Sequence, residues 1–249
     1  MTPRSISSIS TGVFGKAYLA RAWDSRNELS EYERRGFAQF FYLTICGHIE
    51  SVLSGVIKAR LKFVNLSIHW ESLPPMQYTS PAGTQQCSID PIATTIKSLA
   101  NGIAAEAESA PLSKLAELYA KAFGRPLNSV LSTELSQDLK ALAALRNVFA
   151  HGRDLVMEFR HDPNDRLQGT LEENPLQFVV QRLQSVGVMK KVEINGANYD
   201  SIWSGFFSDN SLLHFYNAVR SIEISVRAAS DFTPEQGFYM SPPLPELLE

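Results

Sequence analysis

The hydrophobic positions of this chain recur every three or four residues over most of its length, the period of helices packed on a core. A long helix is predicted over residues 28–65, where Phe37, Phe40, Phe41, Leu43, Ile45, Ile49, Val52, Leu53, Val56, Ile57 and Leu61 cover more than one face and imply burial on two sides. Residues 66–90 hold Pro74, Pro75, Pro81 and Gly83 and read as a loop. Helices are predicted at 91–108, with Pro91 in the first turn, and at 112–123, stopped by Gly124-Arg125-Pro126. Another runs over 132–151, with Ser132 or Thr133 as its cap. The period then changes: residues 155–160 and 166–172 flank the turn-forming Asp162-Pro163-Asn164-Asp165 and suggest a small β-hairpin. Helices return at 175–186 and 211–229, the latter with Leu212, Phe215, Tyr216, Val219 and Val226 at helical spacing.

These elements describe a mainly α helical bundle. Residues 1–26 read as a loosely ordered N-terminal segment with Phe14, Tyr18 and Trp23 as anchors. Residues 27–229 form the helical domain, with a core at 27–152 and a C-terminal extension at 153–229. Residues 230–249, with Pro234, Pro242, Pro243 and Pro245, read as an extended tail.

One residue breaks the pattern. At about 100° per residue, Leu135, Leu139, Leu142, Leu145 and Phe149 form one stripe of the 132–151 helix, and Arg146 falls within about 20° of Leu139 on it. A guanidinium on a core face is costly unless it meets an anion or a polar cleft. Asn147 and His151 are four residues apart and share a face, so the amide is placed to fix the tautomer of the imidazole. Gly152 stands where a helix end favours positive φ, and the terminal carbonyls favour a protonated ring at His151. Arg146 and His151 lie about 140° apart on an ideal helix. They share one site only through the length of the Arg side chain, an unwound last turn, or a second copy of the helix.

The string Arg146-Asn147-Val148-Phe149-Ala150-His151-Gly152 resembles the signature of the HEPN superfamily: Arg, a polar residue, a short spacer, then His at a helix end. It contains the chain's single Arg-to-His pair with four to six intervening residues. The motif covers these residues, and helical context extends the likeness over 27–152. The resemblance implies an all-helical domain that dimerises so that two Arg/His sets face one cleft. It also implies metal-independent endoribonuclease activity of a toxin or antiphage defence effector. Arg146 and His151 match the catalytic Arg and His, and Asn147 the polar position. In this reading Arg146 clamps the phosphate, His151 transfers protons and Asn147 orients the ring, with no cofactor and no metal. RNA is the substrate, and an antitoxin or other regulatory protein is a candidate partner. Some HEPN toxins carry a tyrosine pair just after the His; here Gly152-Arg153-Asp154 follows, which argues against control by AMP transfer to such a tyrosine. The alternative is a non-catalytic HEPN-like module that binds a nucleotide, nucleic acid or protein partner. A purely structural reading instead pairs Arg146 with a carboxylate and makes His151 a polar cap.

Composition narrows the field. Net charge is −3, so any RNA contact must come from a local basic cluster. Cys46 and Cys87 are too few for a disulfide framework, and Cys46 reads as a small core residue. The polar start lacks an apolar signal core, and no stretch reads as a membrane span, which makes a cytoplasmic protein the default. His69, Cys87, His151 and His161 lack metal-ligand spacing, and no Gly-rich phosphate loop or Gly-x-Ser-x-Gly elbow occurs. His48 reads as a core histidine rather than a catalytic support. Glu50 is a candidate partner of Arg146, though a surface glutamate is the favoured reading. Lys190, Lys191, Arg220 and Arg227 read as solvated charges. Trp70, Trp203, Phe206 and Phe207 are suited to base stacking and equally to core packing.

Overall fold

The computed structural model describes residues 11–67, 76–80, 83–87, 90–151, 158–161, 167–170, 175–189, 204–230, 244 and 247, with side chains described over 18–62, 94–150, 176–189, 204–230, 244 and 247. The fold is mainly α. In chain order the elements are α1 (Thr11–Asp24), α2 (Glu31–Ser67), β1 (Met76–Ser80), β2 (Gly83–Cys87), α3 (Asp90–Ser109), α4 (Leu112–Phe123), α5 (Thr133–His151), β3 (Glu158–His161), β4 (Leu167–Thr170), α6 (Pro175–Ser185) and α7 (Asp209–Ala228), with short 3-10 turns at Arg26–Glu28 and Leu127–Ser129.

α2 is the central strut, packed by α1, α3, α4, α5 and α7. Its residues Phe41, Tyr42, Ile45, Ile49, Leu53, Val56 and Ile57 are fully or almost fully buried, as their spread around the helix demands. By length and composition α2 is apolar enough to span a membrane, with a mean hydropathy of 1.5, contrary to the reading of its sequence; yet 61% of that window is buried inside the bundle. α2 begins at Glu31 rather than at residue 28, because Ser30 and Glu33 form a capping box. The Ser30 N–H donates to Glu33 Oε2 at 2.8 Å and the Glu33 N–H to Ser30 Oγ at 3.4 Å. α4 ends as expected at Gly124, in the left-handed region at φ 67°.

Three sequence expectations change. The supposedly loose N-terminus carries α1, in which Leu19 and Trp23 are buried while Tyr18 is exposed. Trp23 packs on Phe41, and the Arg26 guanidinium lies 3.8 Å from the Trp23 ring while pairing with Asp209 of α7. The stretch read as a loop contains the β1–β2 hairpin, whose register sets Ser80 opposite Gly83. Its polar strands give little hydrophobic alternation, and the prolines drew attention to its turn instead. β3 pairs antiparallel with β4 where the second hairpin was expected. The region read as a tail includes Leu244, which is buried in the core, and Leu247, which packs against it; an apolar residue that reaches the core outweighs the local prolines. Phe14, Trp70, Trp203, Lys190 and Lys191 lie outside the described side chains.

Candidate functional site

α5 brings the motif to the bundle. Ser132 caps it, its hydroxyl accepting from the Leu135 N–H at 3.2 Å. The helix is continuous through His151, so the last turn is not unwound and Arg146 and His151 stay about 140° apart around the axis. The His151 side chain and Gly152 lie outside the described residues. Phe149 anchors this end: its ring stacks on Tyr42 of α2 with centroids 5.6 Å apart. Tyr42 in turn donates its hydroxyl hydrogen to the Phe206 carbonyl at 2.7 Å. Phe206 is thereby a core residue, as one of its two readings had it.

Arg146 does not sit in the middle of the buried face. Asp138, Ala141, Leu142, Leu145 and Val148 are all buried and centre that face away from Arg146, with Leu139 buried at its near edge. Arg146 is left at its edge with 29% of its side chain exposed, facing Glu50 of α2, which is 20% exposed, at 3.6 Å. The anion that a guanidinium on this face demands is therefore Glu50, and the surface reading of that residue is corrected. Arg146 Nη1 also donates to Asn147 Oδ1 at 3.4 Å, so the exposed amide turns its oxygen toward the cation.

Glu50 has a second task. Its Oε1 accepts the N–H of Leu112, the first residue of α4, at 3.1 Å. Pro111 precedes Leu112 and offers no side-chain cap, so Glu50 supplies from another helix the acceptor that α4 lacks. Burial pushes the Glu50 carboxyl above the ordinary glutamate range; the Arg146 charge and the Leu112 hydrogen bond pull it down without cancelling that. One carboxylate thus ties α2, α4 and α5 together at the Arg146 position. Cys46, one turn before, is buried, and burial pushes its thiol well up; it packs its sulfur 3.6 Å from the Leu142 carbonyl oxygen.

The Arg146–Glu50 pair opens into a cleft of about 580 Å³. On α2 it is lined by Gly47, Glu50, Ser51, Ser54, Gly55, Lys58, Ala59 and Lys62, and across from them by Ala107–Ala110 at the end of α3. Small side chains on α2 make the concavity. A Cβ added at Gly47 or Gly55 would meet nothing within 4 Å, so the glycines preserve open space and relieve no clash. Glycine inside a helix costs about 0.5–1 kcal/mol relative to alanine. Gly47→Ala and Gly55→Ala should each raise Tm by roughly 1–4 °C in thermal denaturation while narrowing the cleft; a lower Tm in either variant would mean that the backbone there needs glycine for another reason.

Two further charged groups lie deeper. His48, buried as a core histidine, gives its Nε2 hydrogen to Glu223 of α7 at 2.7 Å. Its Nδ1 is buried without a hydrogen-bond partner. Arg227 pairs with the same Glu223 at 2.6 Å, so it is part of a buried network and not a solvated charge. Burial by itself drives Glu223 up, but His48 and Arg227 outweigh it and hold the carboxyl below its ordinary range. The other group joins Asp138 of α5, Arg182 of α6 and His214 of α7, and the sequence reading singled out none of the three. Arg182 donates from Nε to Asp138 Oδ1 at 2.7 Å and from Nη2 to Oδ2 at 3.0 Å, and His214 Nε2 lies 2.9 Å from Oδ1. The buried charge on the motif helix is therefore Asp138, while Arg146 is partly exposed toward the cleft.

Comparison of the chain with protein-family models, with curated proteins and with solved structures finds no match.

Proposed function

We propose that this protein is a metal-independent endoribonuclease of the HEPN kind, acting as a homodimeric toxin or antiphage effector in the cytoplasm. The observation that carries the reading is the place of Arg146: a fixed cation, held by Glu50 and Asn147, at the mouth of a polar cleft on the helix that ends in His151. A guanidinium there can grip two oxygens of a phosphodiester. An imidazole at a helix C-terminus can take the proton of the 2′-hydroxyl or give one to the leaving 5′-oxygen. The attacking 2′-oxygen forms its bond to phosphorus as the bond to the 5′-oxygen breaks. The products are a 2′,3′-cyclic phosphate and a free 5′-hydroxyl. Because α5 stays helical, the two positions lie about 140° apart around its axis within one chain. A second copy supplies the complementary set, which is why the site is read as composite.

Labelled RNA incubated with the pure protein in EDTA tests this. Cleavage that survives chelation, leaves cyclic phosphate ends and disappears in His151→Ala is the expected result. Retained cleavage in His151→Ala, or an absence of cleavage by the unaltered dimer, would end the proposal. The Arg146–Glu50 ion pair itself favours a second reading, a non-catalytic module in which that pair is a clamp for three helices. In that case the Arg146→Ala variant loses stability and no RNA is cut by the parent protein.

A further inference from the structure

The cleft continues well beyond Arg146. Lys58 and Lys62 line the same wall of α2 as Glu50, Ser51 and Ser54. At a rise of 1.5 Å per residue they stand about 12 and 18 Å along the axis from Glu50, the residue that marks the Arg146 position. The cleft thus carries three cations against the two carboxylates Glu50 and Glu108, on a chain whose net charge is −3. Lys58 is held by Glu108 at 3.3 Å, across the cleft from α2, with the Lys and Glu side chains 42% and 65% exposed. Such a pair lies in water and exchanges readily for a phosphate.

We propose that this α2 wall is the track for the substrate backbone: single-stranded RNA runs along α2, with one phosphate at Arg146 and the following ones met by Lys58 and Lys62. The inference rests on the reading of the cleft as an RNA site and names its substrate class. Cations in a row along one helix match a linear array of charges. At about 3.4 Å per stacked nucleotide, the 12 Å from Glu50 to Lys58 spans roughly three to four nucleotides. The wall at Ala107–Ala110 stands opposite this row of cations, so the track is a cationic groove, the shape that follows a single-stranded backbone. Ser51 and Ser54 supply hydroxyls between the charged stations, and the lack of bulk at Gly47 and Gly55 lets the backbone approach.

The test is equilibrium binding of a labelled oligouridine in EDTA, followed by fluorescence anisotropy across a salt series, using full-length His151→Ala so that the probe stays intact. Each lysine that neutralises a phosphate on a single strand contributes about 0.7 to the slope of log K against log salt. Lys58→Gln with Lys62→Gln should therefore flatten the slope by about 1.4, a loss of roughly 25-fold in affinity near 0.1 M salt. Glu108→Gln frees Lys58 and should tighten binding by up to about fivefold, a change that damage to the fold would not produce. Duplex RNA of the same length should bind more weakly than the single strand. An unchanged slope in the lysine variant, weaker binding in Glu108→Gln, equal binding of the duplex, or no binding at all would overturn the proposal. Cleavage by the unaltered protein is scored separately. An enzyme that cuts RNA with a lysine-independent slope refutes the track alone, whereas one that binds with the expected slope and never cuts refutes the ribonuclease alone.

Discussion

Replacing Arg146 with alanine should lower the rate of metal-independent RNA cleavage by about 10²- to 10³-fold, the usual effect of removing one fixed donor to a developing oxyanion. Arg146→Lys should recover part of this, since an ammonium keeps the charge but loses the two-pronged grip on the phosphate. The fold should survive both changes. Arg146 stands at the edge of the buried face, partly exposed, and its pairing with Glu50 is a cleft-side contact at 3.6 Å. Pairs of that exposure contribute on the order of 1 kcal/mol or less. Far-ultraviolet circular dichroism and the melting temperature should therefore stay close to those of the parent protein while product formation collapses. Glu50→Ala separates two causes. It frees the guanidinium and also removes the acceptor for the first N–H of α4, so it should lower stability and activity together. Equal activity in Arg146→Ala and the parent would leave Arg146 with nothing but a clamp's role.

The sequence made the helices legible wherever one face was plainly apolar, as in α4 and α7, and wherever a backbone signal closed them, as at Gly124. It also pointed to Arg146, because a cation among leucines is conspicuous without any knowledge of the partner. It offered Glu50 as a candidate for the facing anion but could not decide for it. Glu50 lies on a helix nearly a hundred positions earlier, and nothing in its own neighbourhood distinguishes it from a surface glutamate; only the approach of α2, α4 and α5 does. Asp138 was missed for the mirror-image reason. A lone aspartate that follows Ser136 and Gln137 reads as solvent-facing, and its burial is tolerated only when Arg182 and His214 arrive from α6 and α7. Lys58 and Lys62 lie in the longest helix, where charges read as the solvated face. The cleft they line depends on the end of α3 packing against α2. The Ser30–Glu33 capping box, by contrast, was readable at three-residue spacing and would have corrected the start of α2.

The largest stability effect is expected at Asp138. Asp138→Ala leaves the Arg182 guanidinium, 8% exposed, without its bidentate partner, and His214 without its acceptor. Stranding one member of a buried ion pair costs about 3–5 kcal/mol. For a chain of this size that is a fall in Tm of roughly 6–20 °C. Replacing both partners, Asp138→Leu with Arg182→Met, should cost clearly less than the single change, because no buried charge then lacks a partner. The pH dependence has a definite sign. Burial pushes the Asp138 carboxyl up, but hydrogen bonds from His214 and Arg182, and their charges, outweigh burial and hold it below the ordinary value of 3.8. The folded state therefore binds this proton less tightly than the unfolded chain does. Its contribution is present above pH 3.8 and is lost as pH falls below that through the folded value. Glu223 is shifted in the same direction and adds to the acid limb below 4.5. Denaturant unfolding from neutral pH down to pH 3 should show the parent losing stability more steeply than Asp138→Asn, which has no carboxyl left to protonate; parallel curves would mean that the Asp138 cluster carries no net linkage. Asp138 and Arg146 are eight residues apart on α5, about 12 Å along its axis. A helix loosened at Asp138 but still held at Tyr42 and Phe149 should therefore keep most of its activity at low temperature and lose it early on heating. That separates the group that fixes α5 in the bundle from the group that faces the cleft.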